Sequence, residues 1–110
     1  MSFDLGQLLL DESPDAVIAT TAEGEVLHWN HAAENIFGCT RAEATGRLIR
    51  DLIVPPDLVE EEEKLRRDVL AADLAVYETI RRRKDGSLIF VNVSSKTVRE
   101  ADGKVRFILS

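Results

Sequence analysis

His28 and His31 stand three residues apart, and two imidazoles near an acid can hold a metal ion or move a proton. Here the pair straddles the end of a β-prone run and a helix cap, so the spacing does not put both on one helical face. No cysteine or second acid cluster completes a ligand set, and both histidines read as structural or surface residues. Cys39 lies between Gly38 and Thr40 with no histidine in motif spacing, which leaves a nucleophilic thiol without a base. Trp29 can stack on a planar ligand, but a tryptophan in such a run more often fills a core. The acids Glu60–Glu63 read as the wet face of a helix, with metal binding as the alternative. Arg81-Arg82-Arg83-Lys84 reads as a solvated strand end and hairpin, with a site for an acidic partner as the alternative. The chain has no Gly-x-Ser-x-Gly, no phosphate-cradling glycine loop and no His-Glu-x-x-His. No catalytic residue and no metal ligand is assigned, and the chain is not expected to be an enzyme.

Composition agrees with a binding or regulatory role. The 110 residues suffice for one domain with a real core, since Leu, Val, Ile and Phe make up 34 of them. Twenty acidic against 14 basic side chains give a net charge of −6, opposite in sign to a nucleic-acid footprint. One cysteine excludes an internal disulfide and suits a reducing, cytoplasmic setting. No apolar run approaches the roughly 18 residues of a membrane span, and Met1–Glu12 lacks a charged leader and cleavage site. Membrane insertion by this chain is not expected, although it can be the cytoplasmic part of a membrane-bound sensor.

The elements follow from local signals. Ser2 or Asp4 can cap a helix over Leu5–Leu10, which Gly6 weakens and Ser13-Pro14-Asp15 breaks. Ala16–Thr21, a turn over Ala22–Glu25, and Val26–Trp29 make a hairpin. Asn30 caps a helix whose apolar stripe is Ala33, Ile36 and Phe37, with Gly38 as its stop. Thr40 and Glu43 form a capping box, Gly46 ends that turn, and Leu48–Ile53 is a further short segment closed by Pro55-Pro56. Asp57 with Glu60 looks like another cap, opening a long helix with Leu58, Leu65, Val69 and Ala72 along one stripe. Glu60–Lys64, Glu62–Arg66 and Glu63–Arg67 are expected as i,i+4 pairs on it. Val76–Arg83, Leu88–Val98 and Val105–Leu109 are strands, separated by Lys84-Asp85-Gly86 and Ala101-Asp102-Gly103 turns. The fold class is α+β: five antiparallel strands with a helical layer on one face.

A curved sheet facing such helices can enclose a small, mostly apolar pocket. Its candidate walls are Ile36, Phe37, Leu48, Leu52, Leu65, Val69, Val91 and Val93. The same residues would equally fill a solid core, giving a ligand-free dimerisation or protein-interaction module. Residues 1–12 read as a flanking helix before the domain at 13–110. Phe3, Leu5, Leu8 and Leu9 are its candidate dimer contacts, because a helix this short needs something to pack against.

Several runs, in order, resemble the PAS sensory domain. They are Ser13–Ile18, the Gly24 turn, Trp29–Glu34, Phe37-Gly38, Glu43-Ala44 with Gly46-Arg47, Arg83–Ser87, Val91–Val93 and Asp102-Gly103. The resemblance covers nearly the whole chain. It implies a sensing, dimerising module of larger signalling proteins such as histidine kinases or cyclic-dinucleotide enzymes, with the output domain outside this chain. It also bears on cofactors. Haem-binding members take a histidine early in the long helix, where this chain has Val59, Glu60, Glu61 and Glu62. Light-sensing flavin members carry a reactive cysteine where this chain has Ile49. No cofactor is therefore expected, while non-covalent FAD beside Trp29, or an unidentified small molecule, stays open.

Overall fold

The structure, a computed structural model, describes residues 4–110. Ser2 as a cap and Phe3 as a dimer contact lie outside the described residues. The Asp4 carboxylate accepts from the Gln7 N–H at 3.0 Å and opens α1 (Leu5–Asp11). The hairpin follows as β1 (Ile18–Thr20) and β2 (Val26–Trp29), turning at Gly24 with φ 95°. Three short helices come next: α2 (His31–Phe37), α3 (Arg41–Ala44) and α4 (Ile49–Ile53). Gly38, at φ 84°, takes the left-handed geometry that stops α2, and Thr40 and Glu43 close a reciprocal capping box on α3. The long helix α5 (Val59–Ala72) leads into β3 (Leu74–Arg82), β4 (Leu88–Arg99) and β5 (Val105–Leu109).

The strands form one antiparallel sheet in the order β2-β1-β5-β4-β3, so the first and last strands pair inside the sheet. The helices cover one face. Val26, Trp29 and Ala33 are fully buried, and the Trp29 and Phe37 rings lie 5.7 Å apart, tilted by 47°. Trp29 Nε1 donates to the Cys39 carbonyl at 2.9 Å, so its polar edge is satisfied inside the core. Among the described residues, no helix is long and apolar enough to cross a membrane.

Four local expectations are corrected. Asp57 does not cap α5: Pro56–Leu58 form a single 3₁₀ turn, and Leu58 takes the cap position without a side-chain bond. Proline lacks the N–H a cap would satisfy and presets φ, which favours that tight turn. Ala72, in the last turn of α5, is exposed, so the buried stripe ends at Val69. Of the expected i,i+4 pairs only Glu62–Arg66 forms; Lys64 turns forward to Asp68 and Glu63 reaches across to Arg50 on α4. Finally, Glu62 is buried instead of solvated.

Asn30 does more than cap. Its Oδ1 accepts from Ala33 N–H (3.0 Å) and Val17 N–H (2.9 Å), and its Nδ2 donates to the carbonyls of Leu10 (2.8 Å) and Asp15 (2.9 Å). The side chain is fully buried and joins the end of α1, the approach to β1 and the first turn of α2. Removing it strands several backbone groups, each expensive to leave without a partner. Asn30→Ala is expected to cost roughly 3 kcal/mol in urea unfolding, against about 1 kcal/mol for Thr40→Ala at the exposed box. Equal losses at the two sites would reduce Asn30 to an ordinary cap.

Candidate functional site

Side chains alternate across a strand, so β3 and β4 each show one face to the helices. The pairing Tyr77↔Val93, Thr79↔Val91 and Arg81↔Ile89 puts these six residues on the inner face. On the other face lie Leu74, Val76, Leu88 and Phe90, which are 60–83% exposed. In β3 the polarity is thus mixed on both faces: Tyr77, Thr79 and Arg81 point inward, while Leu74, Val76 and Ile80 point outward beside Glu78 and Arg82.

A cleft of about 840 Å³ in all opens between this inner face and α2, α4 and α5 and continues to the outer side of the sheet, where Leu74, Phe90, Asn92, Ser94 and Lys96 border it. Ile36 and Phe37 of α2, Val69 of α5, and Val91 and Val93 of β4 line it. Leu48, Leu52 and Leu65, expected among the walls, do not. Leu48 stands at the start of α4, where its backbone bridges to Glu25; Leu52 is buried in the core around Trp29; Leu65 is half-buried beside the cavity lining. Ile49 and Ile53, one turn apart on α4, take the places expected of Leu48 and Leu52. The Ile49 N–H bonds the Gly24 carbonyl at 2.9 Å, and that bond fixes the rotation of α4.

The polar part of the wall was not anticipated. Arg66 Nη1 donates to both oxygens of Glu62, at 2.9 and 3.1 Å, and this pair lines the cavity with side chains 17% and 9% exposed. A Cβ on Gly24 would stand 2.9 Å from Arg66 Nη1, so this glycine leaves room for the guanidinium against the hairpin turn. Opposite, Thr79 donates to Glu61 Oε1 at 2.5 Å and accepts from Arg81 Nη1 at 3.1 Å. Arg81 is 5% exposed, which corrects the reading of the 81–84 cluster as wholly solvated. The helix period held the signal for Glu62, because Leu58, Glu62, Leu65 and Val69 recur at i, i+4, i+7 and i+11. Its charge argued the other way.

The rest of the basic cluster anchors the helices. Arg83 Nε donates to the Ile36 carbonyl at 3.0 Å, the Lys84 N–H bonds the Phe37 carbonyl at 2.8 Å, and the Lys84 ammonium pairs with Glu43. The hydrogen bond from Lys84, aided by the Thr40 backbone, draws the Glu43 carboxyl down to about 2. His28 faces away from the cavity, with Nε2 lacking a hydrogen-bond partner 3.8 Å from Asp11. Burial lowers its pKa, the neighbouring Arg41 lowers it further, and Asp11 opposes both. His31 is exposed on α2 near Glu12, and Cys39 is buried. Among the described residues, no three His, Cys, Asp or Glu side chains gather as a metal set. Leu5, Leu8 and Leu9 on α1 are 39–63% exposed.

Breaking a buried pair leaves a charge without its partner, whereas replacing both partners can be neutral. Glu62→Ala is therefore expected to cost about 2 kcal/mol in urea unfolding, and Glu62→Leu with Arg66→Met less than about 1 kcal/mol. Equal losses for the single and double variants would mean the pair is not coupled.

The sequence matches the family described as PAS fold over residues 4–110. An uncharacterised protein of Azorhizobium caulinodans is 42% identical over 52 residues; that stretch is 47% of this chain and 7% of the relative's length. Among solved structures, the PAS domain of a Colwellia psychrerythraea protein superposes with a TM-score of 0.84 at 20% identity, covering 94% of this chain and 88% of that one. A PAS domain from a two-component sensor histidine kinase superposes at 0.75 and 17% identity, covering 94% and 87%.

Proposed function

The chain belongs to the PAS fold family, and from that premise we propose that it is a sensory module which binds a small molecule between sheet and helices and relays the event to an output domain of a larger signalling protein. The observation that carries this reading is the cavity. Its inner part has an apolar wall of Ile36, Phe37, Val69, Val91 and Val93 with a few fixed polar groups, the make-up of a small-ligand site. A ligand-free module with a filled core would have closed this space on its own side chains. The mechanism is a population shift: the ligand favours one arrangement of helices and sheet by its differential affinity, typically about 1–3 kcal/mol. The module is regulatory and not itself an enzyme, and it works on the cytoplasmic side, where Cys39 stays reduced.

The ligand is neither histidine-ligated haem nor a flavin that forms a cysteine adduct. Glu60 and Glu62 offer no imidazole, and Ile49, on the cavity wall, offers no thiol. Native mass spectrometry of freshly purified protein is expected to show a mass above that of the chain, lost on denaturation, from a colourless solution. Only the bare chain mass, together with no thermal shift on adding small apolar compounds, would sink the sensor reading. A Soret band would overturn the cofactor assignment.

The outer face suits a homodimer. Leu74 and Val76 at one end of β3 and Phe90 and Leu88 at the other are exposed, with Glu78 and Asn92 between them, and the leucines of α1 add to the exposed apolar area. Leu10 and Asp11 are tied to Asn30 and Arg41, so the first nine residues can be removed with these contacts kept. Deleting residues 1–9 is expected to lower the dimer fraction in sedimentation velocity while the circular dichroism of the sheet persists. An unchanged profile would take Leu5, Leu8 and Leu9 out of the interface.

A further inference from the structure

Arg81 is the one buried cation of the cavity wall without a carboxylate within 4.0 Å among the described residues. Its Nη1 is occupied, donating to Thr79 Oγ1 and to the Ile80 carbonyl at 3.1 and 3.0 Å. Nε and Nη2 make no hydrogen bond to the described residues, and neither is sealed off by protein. These two atoms form the edge of a guanidinium that takes a carboxylate through two parallel hydrogen bonds.

The neighbouring charges do not fill that role. Arg66 and Glu62 satisfy each other. Glu61 reaches Arg81 only through the Thr79 hydroxyl. Asp15 and Lys96, which also border the cavity, are exposed, and water screens them. Around Arg81 the wall is otherwise aliphatic and aromatic, with Val91 opposite Thr79 and Ile89 opposite Arg81 in the sheet. A buried cation in such a wall favours an anion delivered with its own apolar body.

Resting on the sensory reading above, we infer that the ligand is an organic acid, a carboxylate on a medium-length apolar body, whose carboxylate binds the Nε–Nη2 edge of Arg81. The body lies against Ile36, Phe37, Val69, Val91 and Val93.

The test is calorimetric titration of the full chain with octanoate, octan-1-ol and acetate at one pH and ionic strength. Octanoate is expected to bind at least tenfold more tightly than octan-1-ol, and acetate, which lacks the apolar body, not to compete with it. Arg81→Met should bring octanoate down to parity with the alcohol. Arg81→Lys, which keeps the charge without the fork, should lose most of the preference and serves if the methionine variant does not fold. Binding of acid and alcohol with equal affinity by the unaltered chain would overturn the anion assignment and leave the small-ligand reading standing. Binding of neither would overturn both. A preference that survives Arg81→Met or Arg81→Lys would overturn the role of Arg81.

Discussion

The side chain of Asn30 is the joint on which the layers depend. One fully buried amide satisfies four backbone groups from three parts of the chain, and no apolar residue of the same size could do so. It orients α2 on the end of β2, and α2 in turn carries Phe37 to the ring of Trp29 and Ile36 to the cavity. The far end of α2 is held by Arg83 and by the backbone of Lys84. A helix of only seven residues gains little stability from its own hydrogen bonds, so these anchors at both ends fix its position.

The second organising feature is the mixed polarity of β3. Tyr77, Thr79 and Arg81 face the helices and give the inner surface its polar part. The charged groups of α5 meet it: Glu61 bonds Thr79, and Glu62 holds Arg66 across the cavity wall. Glu61, Glu62, Arg66 and Thr79 find partners, while part of the Arg81 guanidinium does not, and the space between them remains.

The strands that present Arg81 and Val91 to the cavity present Val76 and Phe90 to the outside, so a shift of β3 or β4 against α5 moves both surfaces together. In the proposed sensor, this shared backbone is what would couple a ligand inside to the face outside. The C-terminal end of α5 is fastened to the sheet as well, since Thr97 Oγ1 donates to the Val69 carbonyl and Arg99 to Asp73 and the Leu70 carbonyl. Such fastening holds that end of the helix to β4 and leaves any displacement against the sheet to its N-terminal part.

The elements, their order and most of their ends were legible in the sequence because their signals are local. A capping box at Thr40, a glycine at position 38 and two Asp-Gly turns act within a few residues, whatever packs around them. The resemblance of spaced motifs then supplied the fold as a whole. The pocket was legible only in part. Apolar character marks Ile36, Phe37, Val69, Val91 and Val93 as interior, wall or core alike, whereas charge argues for solvent at Glu62 and Arg81 and says nothing of the cavity at Arg66. Leu48 and Leu52 were apolar in the right segment but on the wrong side of α4, whose rotation is set by a bond from Ile49 to Gly24, 25 residues away. On β3 the alternation allows either face to turn inward, and the sequence does not choose between them. Only the tertiary structure decided it, because whether a side chain is buried depends on what packs over it, and a charge is retained inside where a partner, a hydroxyl or a cavity receives it.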